Sequence, residues 1–227
     1  MLAKGGKALK QFAVIGLGRF GTSVARTLSR MGHQVIAIDS DEAKVEALMD
    51  EVTTAVQADA RDEEALKAAG IRNVDVAIVA IGENVEANIL VTLIVKELGI
   101  KCVVAKAIND QHGKVLAKIG ADRIVYPERD MGVRVAHTLA SGNVLEHIDL
   151  SPEYSIVEIV APARVAGKTL GQLNLRAQHG VSVMAIKRND KILAAPGADD
   201  VVEEGDILVL VGRNKALERL QESQGRL

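Results

Sequence analysis

Short apolar segments alternate with longer, helix-like segments through the first two thirds of the chain. The apolar segments are nearly continuous runs of Val, Ile and Ala, whereas a strand with one solvated face would alternate polar and apolar residues. Repeated strand–helix units of this kind predict a parallel β-sheet with helices packed on both faces. The predicted strands are Phe12–Ile15, Gln34–Ile38, Thr54–Ala58, Val74–Ile81, Lys101–Lys106 and Arg123–Tyr126.

Helical patterns separate these strands, and six strands in this order favour a complete Rossmann-like fold, a doubly wound α/β structure. The predicted helices are Gly21–Met31, Asp41–Met49, Asp62–Ala69, Val85–Leu98, Asp110–Ile119 and Met131–Leu139.

The pattern changes after Gly142, where short strands replace the strand–helix repeat. These strands are predicted at Tyr154–Val160, Val181–Lys187, Lys191–Ala195 and Asp206–Gly212. A hairpin turn is predicted at Asn189-Asp190, and a closing helix over Ala216–Gln221. The 227 residues are therefore predicted to form a nucleotide-binding domain over 1–143 and a small α+β lobe over 144–227.

Charge and cysteine content exclude several classes of function. The 28 basic and 30 acidic residues leave a net charge of −2, so no global charge favours nucleic acid or an anionic membrane. The single cysteine, Cys102, cannot form an internal disulfide and is typical of a reducing compartment, which predicts a cytoplasmic protein. Apolar stretches such as Ile89–Val95 are far shorter than the roughly 20 residues of a membrane-spanning helix.

The segment Gly16-Leu17-Gly18-Arg19-Phe20-Gly21 follows the first strand and opens a helix. Asp39 ends the next strand, about 20 residues further on, as the dinucleotide-binding motif requires. Gly16 permits a tight turn, Gly18 lets backbone N–H groups approach a phosphate, and Gly21 allows close helix–strand packing. The motif predicts a phosphate group at the helix N-terminus, the alternative being a glycine-rich turn without a ligand.

Acidic residues at strand ends suggest how a nucleoside would be held. Asp39 can accept hydrogen bonds from both ribose hydroxyls, and its charge disfavours the 2′-phosphate of NADP; the alternative is an N-cap of the following helix. Asp59 is placed to accept from an adenine amino group, or else to cap the next helix. The segment Ile81-Gly82-Glu83 follows the fourth strand and is placed to close over the ribose.

Three charged residues suggest how phosphates would be bound. Arg19 lies inside the glycine loop, where an ordinary dinucleotide site needs no cation, so it suggests an additional phosphate unless it faces solvent. Lys106 ends the fifth strand, and Glu128 follows the sixth. A carboxylate near phosphates is unfavourable unless a cation intervenes, so Glu128 is predicted to bind a divalent ion, or else to be a surface carboxylate.

Three segments resemble the RCK (KTN) domain family: Lys10–Thr22, Val79–Asn84 and Ile119–Gly132. The resemblance covers nearly the whole chain and is to the cytosolic regulatory subunits of Ktr-type bacterial potassium transporters. It implies homodimers assembled into an octameric ring, positioned at the inner face of the cell membrane by a membrane-embedded potassium-conducting partner. It also implies that ATP or ADP, or NAD(H) in some relatives, switches the shape of the ring.

The resemblance further implies roles for individual residues. Arg19 matches the phosphate-sensing arginine, and Glu128 matches the glutamate that binds Mg²⁺ or Ca²⁺ with ATP. Asn174 and Arg176 match positions that bind cyclic di-AMP at a dimer interface in some members. The predicted nucleotide contacts are Gly16, Gly18, Arg19, Phe20, Gly21, Asp39, Asp41, Asp59, Ala60, Ile81, Gly82, Lys106 and Glu128.

Two other functions compete with this interpretation. An NAD-dependent dehydrogenase needs a substrate domain and an acid–base pair, but the C-terminal lobe is small for that role. No acid–base constellation is visible among the scattered residues His112, His137, His147, His179 and Asp149. A redox-sensing repressor requires a basic helix-turn-helix segment, which the sequence lacks. We therefore predict a non-enzymatic regulator of potassium uptake that does not bind nucleic acid.

Overall fold

The computed structural model describes residues 9–140 and 144–224, which divide into two compact units. The first unit is Met1–Glu128 and the second is Arg129–Leu227. The predicted domain boundary falls at residues 143 and 144, next to a segment outside the described residues, and it stays a prediction. Over the described residues, no helix is both long enough and apolar enough to cross a membrane.

The first unit is built on a six-stranded sheet in which every neighbouring pair of strands is parallel. Its strands are β1 (Gln11–Ile15), β2 (Gln34–Asp39), β3 (Thr54–Gln57), β4 (Val76–Val79), β5 (Cys102–Lys106) and β6 (Arg123–Val125). Their order across the sheet is β3-β2-β1-β4-β5-β6. This arrangement confirms the predicted doubly wound α/β fold.

Helices alternate with these strands along the chain. They are α1 (Arg19–Arg30), α2 (Glu42–Glu46), α3 (Glu63–Ala68), α4 (Val85–Glu97), α5 (Asp110–Lys118) and α6 (Pro127–Ala140). Successive side chains of a strand point to opposite faces of the sheet, yet Ala13, Val14 and Ile15 are all buried. Ala13 and Ile15 belong to one apolar cluster and Val14 to another. The sheet is therefore covered on both faces, as the apolar strands predicted.

The strand order determines where a ligand can bind. Strand β1 lies between β2 and β4, so the chain leaves β1 in one direction and later returns to its other side. A crevice opens at such a reversal, outside the carboxyl ends of the strands. The glycine loop and the segments after β2, β4 and β5 all lie at this edge of the sheet.

Several boundaries differ from the predicted ones, and three of these differences change the setting of Arg19, Ile81 or Glu128. Helix α1 begins at Arg19 and not at Gly21, so Arg19 lies in its first turn. Strand β4 ends at Val79, which leaves Ile81 in the following loop. Helix α6 begins at Pro127, a favoured residue for a first helical position, so Glu128 is helical.

The second unit contains a five-stranded sheet whose neighbouring strands are all antiparallel. Its strands are β7 (Val144–Asp149), β8 (Tyr154–Val160), β9 (Val181–Arg188), β10 (Lys191–Ala194) and β11 (Ile207–Arg213), in the order β10-β9-β11-β8-β7. Its shorter helices are α7 (Leu170–Leu173), α8 (Leu175–His179) and α9 (Asn214–Gln224). The predicted hairpin turn joins β9 to β10, with Asn189 in the left-handed conformation.

Candidate nucleotide site

A pocket of about 530 Å³ lies at the carboxyl ends of the central strands of the first unit, within the size range of small-molecule sites. It brings together most of the predicted contacts: Gly16, Gly18, Arg19, Phe20, Asp39, Asp59, Ala60, Ile81, Gly82, Lys106 and Glu128. Gly21 and Asp41 are not among its lining residues. Residues of distant segments are thus assembled at one crevice.

The three glycines of the loop differ in what their structural surroundings require. Gly16 has a φ of +94°, and a Cβ atom there would lie 2.9 Å from the Ile81 backbone nitrogen. A Cβ on Gly21 would lie 1.9 Å from the Gly16 carbonyl oxygen, so Gly21 is a packing residue. Gly18 has extended backbone and an open surrounding. It also has no side-chain cap, which leaves the first N–H groups of α1 available to an anion.

Asp39 connects strand β2 to the glycine loop. The Leu17 N–H donates to Asp39 Oδ2 at 2.6 Å, and the Asp41 N–H donates to Oδ1 at 2.9 Å. Its side chain is 11% exposed, and each carboxylate oxygen keeps a second lone pair. The N-cap of α2 is Asp41, which accepts from the Ala43 N–H at 3.0 Å. The alternative role of Asp39 as that N-cap is therefore wrong, and ribose binding by Asp39 stays a prediction.

Asp59 is held by Arg61, a residue that belongs to no recognisable sequence motif. The Arg61 Nε and Nη2 atoms donate to the Asp59 carboxylate at 2.9 and 2.6 Å. These hydrogen bonds lower the pKa of Asp59 to about 2. The cap of α3 is Asp62, so the alternative capping role of Asp59 is wrong. An adenine amino group would share the Asp59 carboxylate with Arg61, which also lines the pocket.

Lys106 and Glu128 form an ion pair at the pocket, with Lys106 Nζ 2.6 Å from Glu128 Oε1. The Lys106 side chain is 11% exposed and that of Glu128 is 69% exposed. This hydrogen bond is the main cause that lowers the pKa of Glu128, and the positive charge of Arg19 adds to it. The cation that neutralises Glu128 in the structure is thus a lysine of the same site.

A metal ion at Glu128 stays a prediction. Across residues 9–140 and 144–224, no group of three or more His, Cys, Asp or Glu side chains is arranged to hold a metal. A divalent ion at Glu128 would therefore need further oxygen ligands from outside this set, of which nucleotide phosphates are the obvious source.

The remaining pocket residues were not among the predicted nucleotide contacts. They are Ser40, Lys44, Ala58, Arg61, Glu83, Asn84, Ala87, Val91 and Ile108, together with the core residues Ile15, Ile38 and Ala80. Asn84 is the N-cap of α4 and accepts from the Ala87 N–H at 2.9 Å. An Asn directly before an apolar helix is a recognisable capping signal. The presence of Lys44 and Arg61 at the pocket, in contrast, depends on the tertiary fold.

The predicted second-ligand residues lie in the second unit. Asn174 has a φ of +40° at the junction of α7 and α8, and Arg176 lies on α8. Both side chains are exposed. Binding of cyclic di-AMP by these two residues stays a prediction.

One pairing of histidines contradicts the expectation that these residues are scattered. The rings of His137 on α6 and His147 on β7 stack with centroids 4.4 Å apart. His147 Nε2 also lies 3.0 Å from Asp149 Oδ1. Sequence spacing could not reveal this cluster, because the His137 ring on α6 and the His147 ring on β7 come together only in the folded unit.

Two protein-family models match separate segments of the chain. The TrkA-N domain model matches residues 12–127, and the TrkA-C domain model matches residues 154–225. Ktr system potassium uptake protein C of Bacillus subtilis (strain 168) is 50% identical over 94% of this chain and 96% of its own length. The chain belongs to the TrkA-N/TrkA-C family of Ktr-type potassium uptake proteins. This finding confirms the predicted resemblance.

Two further relatives extend this result. Ktr system potassium uptake protein A of Vibrio alginolyticus is 43% identical to this Ktr-type chain over 89% of the chain and 92% of the relative. A solved structure of the GsuK channel bound to NAD aligns with a TM-score of 0.65 at 20% identity. The alignment covers 96% of this chain but only 40% of the GsuK chain, so it shows a shared fold.

Proposed function

We propose that this protein is the nucleotide-binding regulatory subunit of a potassium uptake system. The observation that carries the proposal is the pocket at Gly16, Gly18, Asp39 and Lys106 in a chain of the Ktr family. Nucleotide binding there would switch an associated membrane-embedded potassium channel or transporter. Family membership also supports a non-enzymatic role, in which the ligand is bound and released unchanged.

The charges of the pocket favour a nucleotide with a phosphate chain. The uncapped first turn of α1 offers backbone N–H groups and the positive end of the helix dipole. Arg19 and Lys106 add two cationic side chains at the same crevice. Asp39 lies beside the loop as an acceptor for ribose hydroxyls. We infer that ATP and ADP are the natural ligands, with NAD(H) as the alternative pair.

Arg19 and Glu128 are the residues we assign to phosphate sensing. ATP and ADP can shift an equilibrium only through residues that interact differently with the two ligands. The Arg19 guanidinium can bind γ-phosphate oxygens in a fixed geometry. Glu128 would bind Mg²⁺ or Ca²⁺ together with ATP, after its present partner Lys106 has turned to the phosphates. Cyclic di-AMP at Asn174 and Arg176 remains a separate proposal for the second unit.

The remaining parts of the proposal concern assembly. The Ktr relatives are potassium uptake proteins by name, which supports a membrane-embedded potassium-conducting partner and a cytoplasmic position at the inner face of the membrane. We propose a homodimer that assembles into an octameric ring, because a regulator must transmit a change at its binding site to the partner. No nucleic-acid partner is proposed.

Calorimetry with ATP, ADP, NAD⁺, NADH and adenosine tests the proposal directly. We expect Arg19→Ala to reduce the ratio of ATP to ADP affinity more than it weakens adenosine binding. Asp39→Ala should do the reverse, because Asp39 lies at the ribose end. A tenfold preference corresponds to about 1.4 kcal/mol, which one charge-assisted contact can supply. Absence of binding by all five ligands, or multiple turnovers of ATP or NADH that Asp39→Ala abolishes, would contradict the proposal.

A further inference from the structure

Asn88 is a polar residue enclosed by the apolar core beside the pocket. It lies in the first part of α4 and is fully buried. Its Nδ2 atom donates to the Ile81 carbonyl at 2.5 Å and to the Lys106 carbonyl at 3.2 Å. Both partners can only accept, which determines the orientation of the amide. Its Oδ1 atom has no hydrogen-bond partner among the described residues.

The position of this amide relative to the sheet explains what it does. Strands β4 and β5 pair in register up to Val79 and Ala105. Ile81 and Lys106 follow this last pair, at the point where the two strands diverge and the pocket begins. The Asn88 side chain bridges their two carbonyl groups and so continues the connection between the strands after the sheet ladder has ended. A leucine would avoid the unpaired Oδ1 atom but could not make this bridge.

Both bridged residues form the wall of the pocket at the glycine loop. The Ile81 backbone nitrogen packs against Gly16, where a Cβ atom would approach to 2.9 Å. The Lys106 side chain passes over Gly82, where a Cβ atom would lie 3.0 Å from Nζ. A shift of either main chain would therefore change the distance between the glycine loop and the Lys106 ammonium group. These are the parts of the pocket assigned to the phosphates.

We propose that Asn88 is a positioning residue of the nucleotide site. Its amide sets the spacing between the Ile81–Gly82 loop and Lys106 that a phosphate chain requires, and it connects this spacing to helix α4. Asn88 hydrogen-bonds to neither Asp39 nor the β2 strand that carries it. Lys106 and the glycine loop are assigned to the phosphates, whereas the Ile81–Gly82 loop is assigned to the ribose, so we expect Asn88 to contribute more to binding of the phosphates than to binding of the nucleoside. This inference rests on the proposed nucleotide function.

The test compares ADP with adenosine, which share the nucleoside but differ in the phosphates. Asn88→Leu removes both donors without adding charge. Thr92→Val is the matched control, because Thr92 is equally buried on the same helix and its Oγ1 donates to the Asn88 carbonyl at 2.7 Å. By calorimetry on the full chain, we expect Asn88→Leu to reduce the ratio of ADP to adenosine affinity about tenfold. Thr92→Val should keep the wild-type ratio.

The outcomes separate this inference from the proposed function. Equal weakening of ADP and adenosine by Asn88→Leu, or an unchanged ratio, would overturn the positioning role while leaving the function intact. A wild-type protein that does not bind ADP would instead contradict the function. A second measurement needs no variant: in the wild type, ADP but not adenosine should slow amide hydrogen exchange over residues 85–92. Exchange there at the unliganded rate with ADP bound would also overturn the inference.

Discussion

The ion pair between Lys106 and Glu128 makes one carboxylate a competitor of the ligand. A phosphate that approaches Lys106 must draw its ammonium group away from Glu128 Oε1, which now lies 2.6 Å from it. Because Glu128 is largely exposed, solvent weakens this pair, and exposed pairs contribute about 0.2–1 kcal/mol. We therefore expect Glu128 to influence phosphate binding even without a divalent cation.

Glu128→Gln should raise the affinity for ADP about twofold to fivefold in the absence of divalent cations, because it releases Lys106. The same change should abolish any increase in ATP affinity caused by Mg²⁺ or Ca²⁺. Calorimetry with and without cation measures both effects. Glu83→Gln is the control, since it removes one negative charge from the same pocket and leaves Lys106 with its partner. An equal gain in ADP affinity from Glu83→Gln would show that the effect comes from the change in net charge and not from the release of Lys106.

The residues of the pocket differ in how well their roles could be predicted. The glycine loop and Asp39 have a fixed spacing along the chain, so their approach to one another followed from the strand–helix pattern. The contact between Lys106 and Glu128 joins the end of β5 to the first turn of α6, and the sequence indicated only that both residues lie at the same edge of the sheet. Arg61 and Asn88 carry no motif. Their roles depend on side-chain directions that only the folded structure provides.

At the scale of elements, the junction of β1 and α1 contains two glycines with different requirements. Gly21→Ala would place a Cβ atom 1.9 Å from the Gly16 carbonyl oxygen, whereas a Cβ on Gly18 meets no atom within 4 Å. We expect Gly21→Ala to lower the free energy of unfolding by about 3 kcal/mol, since overpacking against backbone cannot relax easily. Gly18→Ala should change it by less than about 0.5 kcal/mol.

Gly18→Ala, the variant expected to lose less stability, should be the one that loses more affinity for ADP. The added methyl group of Gly18→Ala would lie in open space at the end of α1 where we propose that phosphates bind, so ADP affinity should fall at least about tenfold in a normally folded protein. Urea unfolding and ADP titration of both variants measure the two effects. A Gly18→Ala protein that keeps wild-type ADP affinity would show that phosphates do not approach the N-terminus of α1.

In the second sheet, Asp206 stabilises the start of β11 through a charged network. It is fully buried and accepts from Arg188 Nε and Nη2 and from the Glu203 N–H, each at 2.8 Å. The Arg188 hydrogen bonds are the main cause that holds the pKa of Asp206 below its ordinary value of 3.8. Because the folded-state pKa is the lower one, this stabilisation is fully present above the ordinary value and is lost as the pH falls through the folded-state pKa.

Asp206→Asn should therefore lower the free energy of unfolding at pH 7 by about 2 kcal/mol, the typical cost of losing charge-assisted hydrogen bonds. The difference from the wild type should shrink as the pH falls below the ordinary value, because Asp206 is then protonated in both the unfolded and, finally, the folded chain. Urea unfolding at pH 7 and near pH 3 measures this. Asp199→Asn, an exposed acid of the preceding loop, is the control and should change stability little at either pH.

The elements themselves were predictable to different degrees. Strands β1, β2 and β5 are continuous apolar runs buried on both faces, and the sequence predicted them within one residue. Strand β7 was missed because only Val144 is fully buried, while its apolar residues Leu145 and Ile148 are exposed. Helices α7 and α8 were missed because they have four and five residues, too few for a helical pattern to repeat.

At the scale of the whole molecule, helix α4 connects the nucleotide pocket to an exposed apolar surface. Its inward face carries Asn88 and buried residues such as Val91 and Val95, whereas Leu90 and Leu93 are 40% and 37% exposed. Residues three apart in a helix are neighbours, so these two leucines form one apolar patch on the outside. The apolar stretch Ile89–Val95 was recognisable in the sequence, but the sequence could not tell which of its leucines face outward.

This patch leads to a prediction about assembly. If α4 contributes to contacts between copies of the chain, Leu90→Glu combined with Leu93→Glu should lower the mass measured by light scattering at micromolar concentration with ADP present, because charges would replace apolar surface at the contact. ADP affinity should stay within about twofold, since neither leucine lines the pocket. Glu97→Ala, an exposed position on the same helix, should leave the mass unchanged. A wild-type protein that is monomeric with nucleotide bound would contradict the ring. An unchanged mass in the double variant would instead show that copies of the chain contact one another through another surface.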